Sequence, residues 1–277
     1  MVTVASPIIK WAGGKRQLLP EIVKRMPTAF KRFYEPFFDG GALFFSLSPE
    51  QAVLSDINSQ LINAYQQIKI SPYKIISTLE QIQNEHNSLK NDIEQTKYYL
   101  TKRNEFNQCI LNNILTVKSA SLFIFLNKAG YNGLYRVNKK GLFNVPSSHR
   151  KILKMFDAEN IFAASHALQK CTIKCGDFED ACRDARSGDF IFLDPPYYDS
   201  FDTYQSGGFS EADHIRLARL FKKLSKEGVY CIETNSNCDF IKELYKDFSI
   251  DIVNVKRMIN CDSAKRTGCE IIITNFK

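Results

Sequence analysis

Seven short apolar runs, each ending in a polar or turn residue, constrain this chain more than any other feature. They are RFYEPFFDGG (32–41), QAVLSDIN (51–58), CTIKCGDF (171–178), DFIFLDPP (189–196), GVYCIETN (228–235), SIDIVNV (249–255) and CEIIITNF (269–276). Their length and β-forming side chains mark them as strands. Helical spacing at 15–25, 211–226 and 237–247 separates several of them. Strands alternating with helices imply an α/β fold: a mostly parallel sheet with helices on both faces. No helical stretch separates the last two runs, so they read as a terminal antiparallel hairpin. The alternation breaks over 60–155, a stretch rich in Gln, Asn, Lys and Tyr with helically spaced Leu and Ile. It reads as a mostly helical insertion, so that 1–59 and 156–277 build one sheet domain together. Within it, Gly130-Tyr131-Asn132-Gly133 and Asn138-Lys139-Lys140-Gly141 are turn signals, and the second can close a hairpin.

Composition excludes several classes. The chain has 277 residues, enough for a sizeable core. It holds no run of about 18 apolar residues, so no membrane span is expected. MVTVASPIIKWAGGK lacks the charged and apolar regions of a secretion signal. The eight cysteines form no C-x-x-C pair, and Cys171 and Cys175 lack zinc-spaced partners. Reduced thiols, a cytoplasmic location and no metal are expected. Net charge is +7, and its placement says more than its size. Between Phe106 and Phe156 there is no Asp or Glu, while Lys118, Lys128, Arg136, Lys139, Lys140, Arg150, Lys151 and Lys154 fall there. A long window of one sign suggests a polyanionic partner.

The strand ends carry the chemistry. Asp194 follows the run Phe190–Leu193, at the carboxyl edge where open α/β sheets bind ligands. Pro195 and Pro196 stop the strand, because neither has an N–H for the ladder. Their carbonyls are left to accept from something else, and Tyr197 offers a flat ring beside them. A carboxylate, free carbonyls and an aromatic face suit a planar group with an amino donor, such as a nucleobase; a plain strand-to-loop turn would use the same prolines. YEPFFDGGALFF reads as strand, glycine turn and helix start, which lets backbone approach a ligand closely. Asp56, ending the second strand, stands where a ribose diol is held in Rossmann-like folds, and it could equally cap the next helix. Asp177 and Asp194 give two further strand ends with carboxylates. KWAGGK (10–15) adds the only tryptophan, two glycines and two lysines, and by itself fits a capped loop equally well.

Taken together and in this order, KWAGGK, YEPFFDGGALFF, LSDIN, AGYNGLYRVNKKGLFNVP, GDF and DPPY resemble the Dam family of DNA adenine-N6 methyltransferases, most closely the members that methylate GATC. The resemblance covers nearly the whole chain. It implies a Rossmann-like methyltransferase sheet, an S-adenosylmethionine cofactor, double-stranded DNA as substrate, no metal, no membrane and a monomer. The cofactor-binding residues it implies are Trp11, Lys15, Glu35, Phe37, Gly40, Gly41, Asp56, Asp177 and Asp194, with Asp177 also beside the flipped base. The catalytic ones are Asp194, Pro195, Pro196 and Tyr197: Asp194 and the Pro195 carbonyl would hold the exocyclic amine of a flipped adenine stacked on Tyr197. In the insertion, Arg136 and Lys10 would read guanines, Tyr131 would push into the base stack, and Leu134 would touch neighbouring bases. Lys128, Asn132, Asn138, Lys139, Lys140, His149 and Arg150 complete the DNA-binding set, the basic ones meeting phosphates.

The chain departs from the family pattern in three places. Asp39 stands where glycine is common, NVPSSHR replaces NVPFGRY, and the loop after Tyr197 is short. Two other readings compete: a DNA-binding relative impaired in catalysis, motivated by Asp39, and an RNA or small-molecule methyltransferase on the same sheet.

Overall fold

A computed structural model describes residues 4–11, 13, 15–198, 208–256 and 267–276. The short loop after Tyr197 falls mostly outside these residues, as do Ala12 and Gly14 of KWAGGK. Seven strands form one sheet: β1 (Phe33–Glu35), β2 (Ala52–Asp56), β3 (Cys171–Cys175), β4 (Phe190–Leu193), β5 (Tyr230–Ser236), β6 (Ser249–Lys256) and β7 (Thr267–Thr274). Their spatial order is β3-β2-β1-β4-β5-β7-β6. The first five are parallel; β7 runs antiparallel to both β5 and β6. The terminal hairpin therefore exists, but its second strand lies inside the sheet, between β5 and β6.

Ten α-helices accompany the strands among the described residues: α1 (Leu19–Lys24), α2 (Ala42–Leu47), α3 (Ser59–Ile70), α4 (Pro72–Asn87), α5 (Asp92–Leu111), α6 (Val117–Ala129), α7 (Ala158–Leu168), α8 (Phe178–Cys182), α9 (Glu211–Lys226) and α10 (Asp239–Leu244). The helix expected over 15–25 is split, into a 3₁₀ turn at Lys15–Gln17 and α1, with Pro20 in the first turn of α1. Proline is tolerated there because the first helical N–H groups need no partner within the helix. The pattern at 211–226 is α9 in full, opened by a reciprocal cap between Ser210 and Asp213. The pattern at 237–247 shortens to α10.

Alternation along the strands separates two apolar layers. Phe33, Leu54, Phe190, Phe192 and Ile232 face a cluster shared with α2, α3, α4, α6 and α7. Tyr34, Val53, Ile191, Leu193 and Cys231 face α8, α9 and α10. The first cluster runs unbroken from the strands into the helices of the 60–155 stretch, whose Phe123, Phe125 and Leu126 are buried. The expected hairpin is there in small form: Val137 bridges Phe143, and Asn138 N–H donates to Leu142 C=O at 2.9 Å.

β1 and β4 are neighbours, yet β2 and β3 extend from one side and β5 onward from the other. Chain order reverses at the β1/β4 boundary. In doubly wound sheets the crevice at such a reversal, beyond the carboxyl ends, is where ligands bind.

Candidate active site

At that crevice β1 ends in Glu35 and turns through Phe38-Asp39-Gly40-Gly41 into α2. The turn closes with Gly41 N–H on Phe38 C=O at 2.7 Å and is tied to β2 by Phe38 N–H on Ser55 C=O at 2.9 Å. Gly41 has φ 65°, and a Cβ there would lie 2.7 Å from the Phe38 ring, so no other residue fits without rearrangement. Asp39 also takes a left-handed conformation, φ 48°. Aspartate tolerates this region better than most side chains. Its N–H donates to Asp56 Oδ2 at 3.1 Å, and its C=O accepts from Tyr65 Oη at 3.2 Å.

Asp56 accepts on its other oxygen from Asn58 N–H at 2.9 Å. It is not the cap of α3; Asn58 is, accepting from Gln60 and Leu61 N–H at 3.1 Å each. Burial pushes the Asp56 carboxyl up to about 6, against the lowering effect of the N–H groups of Asn58, Asp39 and Ile57. Glu35 is 3% exposed, and its carboxyl lies well above the usual range, from burial first and Asp194 second. Asp39 is raised too, by burial, then by Asp56 and Asp194, with Lys15 opposing. Three acids and Asp194 thus crowd one crevice, an expensive arrangement unless donors or cations enter it.

Asp194 sits just past β4, 8% exposed. Its Oδ1 accepts from Thr234 Oγ1 at 2.7 Å and from Lys15 Nζ at 2.8 Å. Lys15 also donates to Gly13 C=O at 3.0 Å and lies 4.4 Å from the centre of the Tyr197 ring. Pro195 is buried, Pro196 and Tyr197 half-buried. Among the described residues no backbone donor is bonded to the Pro195 carbonyl.

Three neighbours of this loop escaped the sequence reading. Thr234 holds Asp194, and Asn235 Oδ1 accepts from Tyr198 N–H at 3.2 Å. Tyr197 Oη donates to Glu270 Oε2 at 2.7 Å. Behind them Glu233, 0% exposed, accepts from Asn235 Nδ2 at 3.1 Å and is bonded to Tyr245 Oη. Three consecutive buried polar residues at the end of a central strand are the signal that GVYCIETN carries and that a search for carboxylates at strand ends passes over.

Asp177 has partners of its own. It lies two residues past β3, caps α8 through Glu179 N–H at 2.9 Å, and pairs with Arg216 at 2.9 Å. Phe37 stacks on Phe178, the residue after Asp177, at 5.5 Å and meets Phe209 edge-on.

The basic side is bolted to the same crevice. Trp11 stacks on Tyr135 at 5.5 Å. Buried Asn127 of α6 accepts from Lys10 N–H at 2.9 Å and donates to the carbonyls of Lys10 and Gly133 at 2.7 and 2.9 Å. Asn127 therefore ties Lys10 to the Tyr131–Gly133 turn. Lys10, Tyr131, Asn132, Asn138, Lys139, Lys140, His149 and Arg150 are exposed; Lys128, Leu134 and Arg136 are half-buried. Arg136 Nε donates to Asn144 Oδ1 at 2.7 Å, which fixes the guanidinium plane on the hairpin.

This geometry agrees with what the chain is similar to. The family described as D12 class N6 adenine-specific DNA methyltransferase matches residues 11–259. The chain belongs to it. A type II methyltransferase of Lactococcus lactis subsp. cremoris, M1.LlaDCHI, is 40% identical over 98% of this chain and 95% of its own length. The type II methyltransferase M.MjaIII of Methanocaldococcus jannaschii is also 40% identical, over 98% and 99%. A DNA adenine methylase of Vibrio cholerae is 31% identical over 97% and 95%. A D12 enzyme needs a methyl donor and a DNA substrate. No helix among the described residues is long and apolar enough to cross a membrane, and no described cluster of His, Cys, Asp or Glu could hold a metal.

The crevice fits a cofactor that brings hydroxyl and ammonium donors. Among the described residues Glu35 Oε2 is buried without a hydrogen-bond partner, an acceptor whose burial a ligand donor would repay. A Cβ on Gly40 would lie 3.2 Å from Ile9 C=O, so a side chain there would press on that carbonyl.

Proposed function

We propose that this D12 enzyme transfers a methyl group from S-adenosylmethionine to N6 of an adenine flipped out of double-stranded DNA, within GATC, and that it works as a monomer in the cytoplasm. One observation carries the reading: Asp194, the Tyr197 ring and the Pro195 carbonyl, which takes no backbone N–H among the described residues, stand together at the sheet's switch point. An aromatic amine is a poor nucleophile because its lone pair is spread into the ring. Asp194 and Pro195 C=O accept its two N–H groups, favour a tetrahedral nitrogen and stabilise the positive charge that develops there. When bound, the cofactor supplies a methyl group that leaves its sulfonium with the bonding pair kept by sulfur. The N6 lone pair forms the new C–N bond, and the surplus N6 proton is then lost to water. Pro196 keeps the loop rigid beneath Tyr197, which stacks the base.

Around the cofactor, Asp56 takes the ribose hydroxyls, Asp177 and Phe37 flank the adenine part, and Trp11, Lys15, Glu35, Gly40 and Gly41 enclose the methionine part. Residues 1–59 and 156–277 serve as the catalytic domain and 60–155 as the target-recognition part. There Arg136 and Lys10 read guanines and Tyr131 enters the stack vacated by the base. Leu134 contacts neighbouring bases. Lys128, Asn132, Asn138, Lys139, Lys140, His149 and Arg150 position the duplex. Transfer of labelled methyl from S-adenosylmethionine to duplexes with and without GATC tests the reading. Digestion of the product by endonucleases that differ in sensitivity to GATC methylation identifies the site. Equal labelling of both duplexes would remove the sequence assignment.

Arg136→Ala should lower discrimination between GATC and a one-base variant by about 1–3 kcal/mol, the size of one bidentate base contact. The double change Lys139→Ala and Lys140→Ala should weaken binding to every duplex and flatten its salt dependence. Identical uniform losses from both would make Arg136 a phosphate contact.

Asp39→Gly should tighten the cofactor about tenfold, or about 1.4 kcal/mol, with duplex affinity unchanged. Glycine adopts the φ of 48° without strain and removes an acid from a crevice that must accept a carboxylate. Calorimetric titration of both proteins reads this directly. Cofactor binding undetectable in the natural protein and present in the variant would favour an impaired binder instead.

A further inference from the structure

The Tyr197 ring is met from two sides, by Lys15 and by Glu270, and Glu270 has no role in the proposed chemistry. Its hydroxyl donates to Glu270 Oε2 at 2.7 Å, and Glu270 reaches it from β7, 73 residues along the chain. The register places Glu270 opposite Ser236 on β5, next to Asn235, which takes the Tyr198 N–H. The ring's face already attracts a cation, with Lys15 Nζ 4.4 Å from its centre. Burial first, then Asp194 and Glu270, keep the phenol far above its usual range, so it remains a donor.

We propose that Glu270 is a positioning residue that fixes the Tyr197 ring as a platform for a base that becomes cationic, and that its charge makes the ring face more attractive to that cation. The inference rests on the adenine-N6 reading above. Before transfer the stacked adenine is neutral. As the new C–N bond forms, positive charge spreads from N6 into the purine. A carboxylate accepting the phenol proton polarises the O–H bond and pushes electron density into the ring, deepening the negative potential on its face. The gain is small with a neutral base and larger with a cationic one. It therefore acts on the transition state more than on binding. The bonded hydroxyl also anchors the far end of the ring and so fixes the direction of its long axis.

Glu270→Gln keeps the shape and an acceptor for the phenol but removes the charge; Tyr197→Phe removes the donor. Expected for Glu270→Gln is a kcat about tenfold lower, with KM for cofactor and for duplex within about twofold of the natural protein. Fluorescence of 2-aminopurine at the target position should show the same stacking in both. In Tyr197→Phe background the Glu270→Gln change should cost nothing further. Unchanged kcat in Glu270→Gln, or losses that multiply in the double variant, would overturn the inference. So would a variant that loses thermal stability at normal kcat. If the natural protein itself transfers no methyl group to DNA, the proposed function falls and this inference with it; normal transfer alongside an unaffected Glu270→Gln removes the inference alone.

Discussion

Replacing Asp194 by Ala should abolish methyl transfer, and Asp194→Asn should lower kcat by about 10²–10³-fold, both with duplex affinity close to that of the natural protein. Asparagine keeps the volume and the bond from Thr234, but it offers the amine one neutral acceptor in place of a carboxylate. Loss of one preorganised group facing a developing charge has costs of that size. Duplex affinity should hold because Lys10, Lys139, Lys140 and Arg150 are exposed, whereas Asp194 is buried and bonded to Thr234 and Lys15. Stability will move as well. Lys15 and Asp194 are paired at 2.8 Å with side chains 10% and 9% exposed. Removing one partner of a pair that well buried leaves a charge uncompensated. Adding Lys15→Met to Asp194→Asn should recover thermal stability without recovering activity. Substantial turnover by either single variant would remove Asp194 from the chemistry.

The sheet was legible because each strand is short, apolar and closed by a turn residue, and because α9 carries its own cap. The place of β7 between β5 and β6 was not. Antiparallel pairing with either neighbour satisfies the same apolar pattern, and only tertiary packing selects one. The helix over 15–25 broke at Pro20, which has no N–H for a continuous helix and is accommodated in the first turn of α1 after the 3₁₀ turn at Lys15–Gln17. Among site residues, Glu35, Asp56 and Asp194 converge as their strand ends imply. Asp177 follows Gly176, whose N–H bonds Asp56 C=O, and its carboxylate is taken by a helix N–H of α8 and by Arg216. Asp39 was readable as a conformational oddity, and its φ of 48° agrees with that. Thr234 and Glu270 were invisible for a different reason: they act across 40 and 73 residues of chain, on partners that no local spacing connects.

Glu233 gives the largest expected effect on stability. Burial pushes its carboxyl up to about 8, against the opposing bonds from Tyr245 and Asn235, with Asp194 adding a like-charge push. In the unfolded chain the same group titrates near 4.3. Between those values the folded protein holds a proton that the unfolded chain has released. Stability linked to Glu233 is therefore complete below about pH 4 and falls as pH rises, until the loss levels off above about pH 8. The limiting slope is about 1.4 kcal/mol per pH unit. Glu35, Asp39 and Asp56 are raised too and tilt the curve the same way. Their share is common to the natural protein and to Glu233→Gln, so it cancels in the difference between them. Glutamine can still accept from Asn235 Nδ2 through its carbonyl and donate to Tyr245 Oη through its amide. Denaturant titrations from pH 5 to 9 should therefore show Glu233→Gln gaining on the natural protein as pH rises and becoming the more stable of the two near pH 8. A difference that stays constant across the range would mean that Glu233 carries the same proton, or the same charge, in both states.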